Sequence, residues 1–248
     1  MIDGMRVLWT TNVFSRIEQL RQQQFMIRQK FGKDITLMTF CNNKNVDSGL
    51  LVGQDILVRT DKNLGHHNGV RDAHNHNLPY LKDFDVVISS HADCFFQNWE
   101  TPLEIIREMK KRGAEFAAIQ VTRSGNPHTM KEGPYIYNDF FVMDARAWER
   151  MGEITHCEHN EGIEPTLGRW VFKVVPEEKI YVVPARYVHA EGVYMFADVI
   201  RPGNQMLREN DIGHKIAWLA RNQPDTVQLL GNAGLVGKIS DVGQDKAD

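Results

Sequence analysis

The stretch DVVISSHADCFF, residues 85–96, decides how this chain is read. Val86, Val87 and Ile88 follow one another without a polar break, the pattern of a strand covered on both faces in the middle of a mostly parallel sheet. A helix is predicted next. Thr101 can cap it, Pro102 suits its first position, Glu104 completes a capping box, and Gly113 ends it. Upstream, MRVLWT (5–10) reads as a strand, a capping box at Ser15 and Glu18 opens a helix that Gly32 closes, and ITLMTF (35–40) and DILVRT (55–60) read as two further strands. Downstream, EFAAIQV (115–121), DFFVMD (139–144) and KIYVVPA (179–185) read as strands, with short helices over 146–151 and 165–172 and another over 210–221. Strands alternating with helices predict an α/β fold with a mostly parallel central sheet flanked by helices.

The composition agrees with a folded domain. The chain has 248 residues, 42% hydrophobic and 25% charged, and at this size roughly 70% or more of the unfolded surface can be buried without staples. The three cysteines, Cys41, Cys94 and Cys157, show no paired spacing and read as small packing residues in a reducing compartment. A net charge of -3 offers no basic field for nucleic acid. No run approaches the roughly 20 apolar residues of a membrane helix, and MIDGMRVLWTTNVFS lacks a basic segment followed by an apolar core, so a cytoplasmic chain without a transmembrane segment is expected. Residues 1–225 are expected to form one domain, with halves at 1–97 and 98–225. Residues 226–248 are expected to form a loosely ordered tail, its last eighteen residues carrying four glycines.

In open α/β sheets ligands bind outside the carboxyl ends of the strands, and that rule sorts the motifs. Asp83, Phe84 and Asp85 precede their strand and read as structural. Asp93 follows it, where a carboxylate can hold a hard cation bridging phosphates, or simply bond the backbone of a turn. The segment NLGHHNGVRDAHNHN (63–77) sets Gly65, Gly69 and Arg71 among several Asn and His. Glycine permits close backbone approach, and a guanidinium forks onto phosphate oxygens, so this segment reads as a candidate diphosphate contact. Its four histidines lack the spacing of a metal motif. Glu161 and Glu164, in HNEGIEPTLGRW (159–170), can take a proton from an attacking hydroxyl or complement a helix N-terminus. The long connection 122–138 reads as a loop able to cover a site.

In this order the pieces resemble the GT-A glycosyltransferases, the nucleotide-sugar-dependent family 2-like enzymes, over roughly residues 5–195. The likeness rests on the VLWTTN strand and loop, on NLGHHNGVRDAHN beside that family's Asn-Gly-x-x-x-Ala-Arg-Asn region, on the DXD-like HAD, on the acidic helix start and on a late histidine. The resemblance implies a GT-A-like, Rossmann-type fold. It implies transfer of a sugar from a nucleoside-diphosphate sugar to a hydroxyl of a glycan or small acceptor. Thr10, Thr11 and Asn12 would then line the nucleobase pocket, Arg71 would touch the nucleotide, Asp93 and His189 would bind Mn²⁺ or Mg²⁺, Asp139 would contact the donor, and Glu161 or Glu164 would be the base. The chain departs from the family at two places. His91 stands where the first DXD carboxylate is common, and Gly162 follows Glu161 where an Asp is usual.

Two other readings stay open. A nucleotidyltransferase would need a Gly-rich, basic loop after the first strand, and TTNVFS holds neither Gly nor Lys. A catalytically inactive GT-A-like module that binds a glycan or a partner is suggested by the departures at His91 and Gly162.

Overall fold

The computed structural model describes residues 1–14, 16–92, 94–96, 98–118, 121–122, 134–136, 138–155, 163–183, 188–190, 193–196 and 199–202. The expected helix over 210–221, the tail, most of the 122–138 connection and Cys157 lie outside them. In chain order the elements are β1 (Val7–Val13), α1 (Ile17–Phe31), β2 (Ile35–Cys41), β3 (Ile56–Arg59), α2 (Gly65–Asn77), β4 (Val86–His91), β5 (Phe95–Phe96) and α3 (Thr101–Lys111). They continue with β6 (Phe116–Ala118), β7 (Val121–Thr122), β8 (Tyr135–Ile136), β9 (Phe140–Asp144), α4 (Ala145–Met151), α5 (Ile163–Val174), β10 (Ile180–Val182), β11 (Val188–Ala190), β12 (Val193–Phe196) and β13 (Val199–Pro202).

Among the described residues, seven strands form the central sheet in the order β10-β6-β9-β4-β1-β2-β3, and a second sheet runs β11-β12-β13-β5. β1 pairs in parallel with both β2 and β4, β2 with β3, and β10 with β6, while β9 runs antiparallel between β4 and β6. The α/β reading and the mostly parallel sheet are therefore borne out.

Alternation along the strands builds two cores. Val7, Trp9, Val86, Ile88, Phe140 and Val142 pack on one face with α1 and α3. Leu8, Val87, Phe141 and Met143 pack on the other with Trp148 of α4 and Leu167 of α5. Successive side chains of a strand point to opposite faces, so an unbroken apolar run is what burial on both sides requires. Each large side chain buried this way contributes about 1.5–3 kcal/mol relative to exposure.

Helix ends follow the expected chemistry in part. Gly32 closes α1 with φ 56, its N–H donating to the Arg28 carbonyl, and Gly113 follows α3 at φ 65. The capping box expected at Thr101 does not form: α3 begins one residue earlier, at Thr101 itself, and Glu100 at the cap position makes no side-chain capping bond. Ser15 lies outside the described residues. Asp144 ends β9 and caps α4, its side chain accepting from the N–H groups of Arg146 and Ala147. Asp85 has the structural role expected of it, accepting from the backbone N–H of Arg6 at 2.8 Å and pairing with the Arg6 guanidinium. Cys41 and Cys94 are buried thiols outside any disulfide. No helix among the described residues is long and apolar enough to cross a membrane.

Candidate functional site

The chain steps from β1 outward to β2 and β3, then crosses back to lay β4 on the other side of β1. The strand order thus reverses between β1 and β4, and the carboxyl ends of strands at such a reversal are where open α/β sheets take their ligands. A pocket lined by polar residues together with Val70 and Ala73 lies there. Thr10 and Asn12 of β1 and Ser89, Ser90 and His91 of β4 line it from below, His74 and Asn77 of α2 from above, and Asn138, just before β9, closes one side.

The segment 63–77, read from sequence as a candidate diphosphate contact, is from Gly65 onward the helix α2. Val70, Ala73, His74 and Asn77 form its buried face, a 3.6-residue repeat carried half by polar side chains. His76 stacks on Phe40 with ring centroids 5.0 Å apart. Gly69 is required for packing: a Cβ there would lie 1.5 Å from Asn42 Nδ2, so the missing side chain makes room for a buried asparagine.

From α2 a hydrogen-bonded relay runs to a carboxylate. His74 Nε2 lies 3.2 Å from Asn138 Oδ1, Asn138 Nδ2 lies 3.1 Å from His91 Nε2, and His91 Nδ1 lies 3.0 Å from Asp139 Oδ1. An amide oxygen only accepts and an amide nitrogen only donates. His74 thus donates through Nε2, His91 accepts at Nε2, and His91 donates through Nδ1 to Asp139. Burial pushes the His74 pKa down to about 4, outweighing the bond to Asn138, and the ring is neutral at pH 7.

The turn after β4 is clamped from the opposite face. Gln23 of α1, fully buried, donates through Nε2 to the carbonyls of His91 and Cys94, both at 2.8 Å, and accepts from Thr11 Oγ1 at 3.1 Å. The Asp139 carbonyl accepts from the His91 N–H at 2.9 Å and from Cys94 Sγ at 3.0 Å.

Of the residues singled out from sequence, Thr10 and Asn12 line the pocket and Asp139 anchors the relay behind it. Thr11, between them on β1, faces the other side of the sheet and Gln23. Arg71 does not line the pocket; its guanidinium holds the neighbouring Asp72 at 2.8 and 2.6 Å. Asp93 and Glu161 lie outside the described residues, Glu164 falls in the first turn of α5, and His189 falls in β11. No group of three His, Cys, Asp or Glu side chains among the described residues is placed to hold a metal ion, and both ring nitrogens of His91 are engaged in the relay. Sequence reasoning missed Gln23, His74, Asn77 and Asn138. The spacing 70, 73, 74, 77 was the available signal for two of them.

No protein-family profile matches this chain, and no curated protein matches it. Among solved structures it is similar to the mannosyltransferase PcManGT from Pyrobaculum calidifontis in complex with GDP-Man and Mn²⁺, at 11% sequence identity and a TM-score of 0.48, over 95% of this chain and 77% of that one. That likeness is distant, and it assigns neither ligand nor reaction to this chain.

Proposed function

We propose that this chain is a glycosyltransferase that moves a sugar from a nucleoside-diphosphate sugar to a hydroxyl of a glycan or small acceptor. The observation that supports it is the polar crevice at the switch point between β1 and β4, lined by Thr10, Asn12 and His91. It lies where open α/β sheets take their ligands, and its residues belong to the motifs that resemble the GT-A enzymes. In this reading Thr10 and Asn12 orient the donor, and Asp139 holds the strand end through His91. Arg71 reaches the diphosphate by leaving Asp72. Glu161 or Glu164 takes the proton from the acceptor hydroxyl as it attacks the anomeric carbon. Asp93 and His189 are the proposed ligands for Mn²⁺ or Mg²⁺, which when bound would offset the charge on the departing diphosphate.

The test is a thermal-shift panel of nucleoside diphosphates and nucleotide sugars with and without Mn²⁺, since a ligand that binds only the folded state raises the melting temperature. The expected outcome is a metal-dependent rise for one nucleotide class that Asp93→Ala abolishes without loss of fold. One observation favours a second reading, a non-catalytic glycan- or partner-binding module: His91 occupies a position where the family carries a carboxylate, and its ring is committed to Asn138 and Asp139. Glycan binding with no response to any nucleotide would select that reading.

A further inference from the structure

The pocket beneath α2 carries an imbalance of hydrogen-bonding groups. Among the described residues, Asn12 Oδ1, His74 Nδ1, Asn77 Oδ1 and Asn77 Nδ2 are buried and make no hydrogen bond, and the three residues that bear them all line the pocket. Asn77 is 1% exposed and His74 3% exposed. A buried polar group left unpaired costs about 1–3 kcal/mol, so together these atoms call for an occupant. His74 Nε2 gives its proton to Asn138, which leaves Nδ1 of the neutral ring as an acceptor.

From these unpaired atoms the occupant meets three acceptors and one amide donor, beside the hydroxyls of Thr10, Ser89 and Ser90 that also line the pocket. No carboxylate, lysine or arginine lines the pocket. A phosphate or carboxylate would find no cation to balance its charge, and a metal cation would find no carboxylate. A hydroxyl both donates and accepts. The space holds about one water-sized group.

We propose that this pocket is a hydroxyl-binding subsite. The bound O–H donates to His74 Nδ1, and its oxygen accepts from Asn77 Nδ2. The side-chain oxygens of Asn12 and Asn77 are left to take a further O–H donor. Two sources supply this chemistry: an ordered water in the ligand-free chain, and a sugar hydroxyl of a bound donor, the second resting on the transferase reading.

A crystal structure of the ligand-free chain at near-atomic resolution is expected to show one water within hydrogen-bonding distance of His74 Nδ1 and Asn77 Nδ2, and an empty pocket overturns the proposal. Asn77→Leu is expected to lower the melting temperature because it removes partners of that water, whereas a rise would mean a dry pocket and equally overturns it. Calorimetry with UDP, GDP and their glucose and mannose conjugates then separates the sources, using Asn77→Ser, which keeps a small polar group, beside the natural chain. A loss of about tenfold or more for a nucleotide sugar, with the matching diphosphate unchanged, identifies the sugar hydroxyl as the occupant. Equal affinities in both proteins identify the water. If no nucleotide binds the natural chain, the transferase reading fails, and the crystallographic water still decides the subsite.

Discussion

His74 links fold and pH at a single residue. Its folded pKa of about 4 lies below the ordinary value of 6.5, so between these values the unfolded chain binds the extra proton. Stability is full above pH 6.5 and falls as the pH drops toward 4, by an amount on the order of 3 kcal/mol. Urea unfolding at pH 7 and pH 4.5 measures the loss, and His74→Gln is expected to shrink the part of the pH slope that His74 supplies. Gln23 makes a second residue-level test. Its side chain meets two carbonyls and a hydroxyl in a fully buried setting, so Gln23→Leu removes three hydrogen bonds and is expected to cost about 2 kcal/mol. Neither residue stood out in the sequence, because a neutral buried histidine and a satisfied buried glutamine look the same on paper as solvated ones.

At the scale of elements, two glycines set how closely helices approach their neighbours. A Cβ at Gly168 of α5 would lie 2.7 Å from the backbone carbonyl of Pro134 and 2.9 Å from the Tyr135 nitrogen. Backbone cannot swing aside as a side-chain tip can. Gly168→Ala is therefore expected to destabilise by about 1–3 kcal/mol or more, and Gly69→Ala by a similar amount against Asn42, both read as a lowered urea midpoint. The α1–β3 region is held by Asp55, which meets Arg28 at 2.5 Å, Lys33 at 2.7 Å and the Leu37 N–H at 2.8 Å. Burial pushes its carboxyl up, but Lys33, the Leu37 N–H and Arg28 outweigh that and hold it at about 2. Its contribution is present above the ordinary carboxylate range and is lost as the pH falls toward 2. The seven strands of the central sheet were legible within a few residues because of their apolar runs, whereas the short strands of the second sheet, β11-β12-β13-β5, were not. α2 was not, because His74 and Asn77 occupy half of the face that an apolar periodicity would have marked.

For the whole molecule, the crossing from β3 back to β4 matters more than any one motif. It places the carboxyl ends of β1 and β4 side by side with α2 against them, and the candidate site follows from that arrangement. If the crevice takes a nucleotide, hydrogen exchange is expected to slow at the carboxyl ends of β1 and β4 and in α2. The sheet edges β3 and β10 are expected to stay unchanged. Slowing confined to those edges would place the ligand elsewhere.

The sequence by itself determined the α/β class, the positions of the covered strands, the glycine stops after α1 and α3, and the end of β4 at which the pocket lies. These are local properties, readable from periodicity and backbone preference. Only the tertiary structure decided that Thr10 and Asn12 share a pocket while Thr11 does not, that Arg71 turns to Asp72, and that His74, Asn138, His91 and Asp139 form one relay. The reason is physical: the relay joins residues as far as 64 positions apart, and its hydrogen bonds exist only once the fold has brought α2, β4 and β9 together.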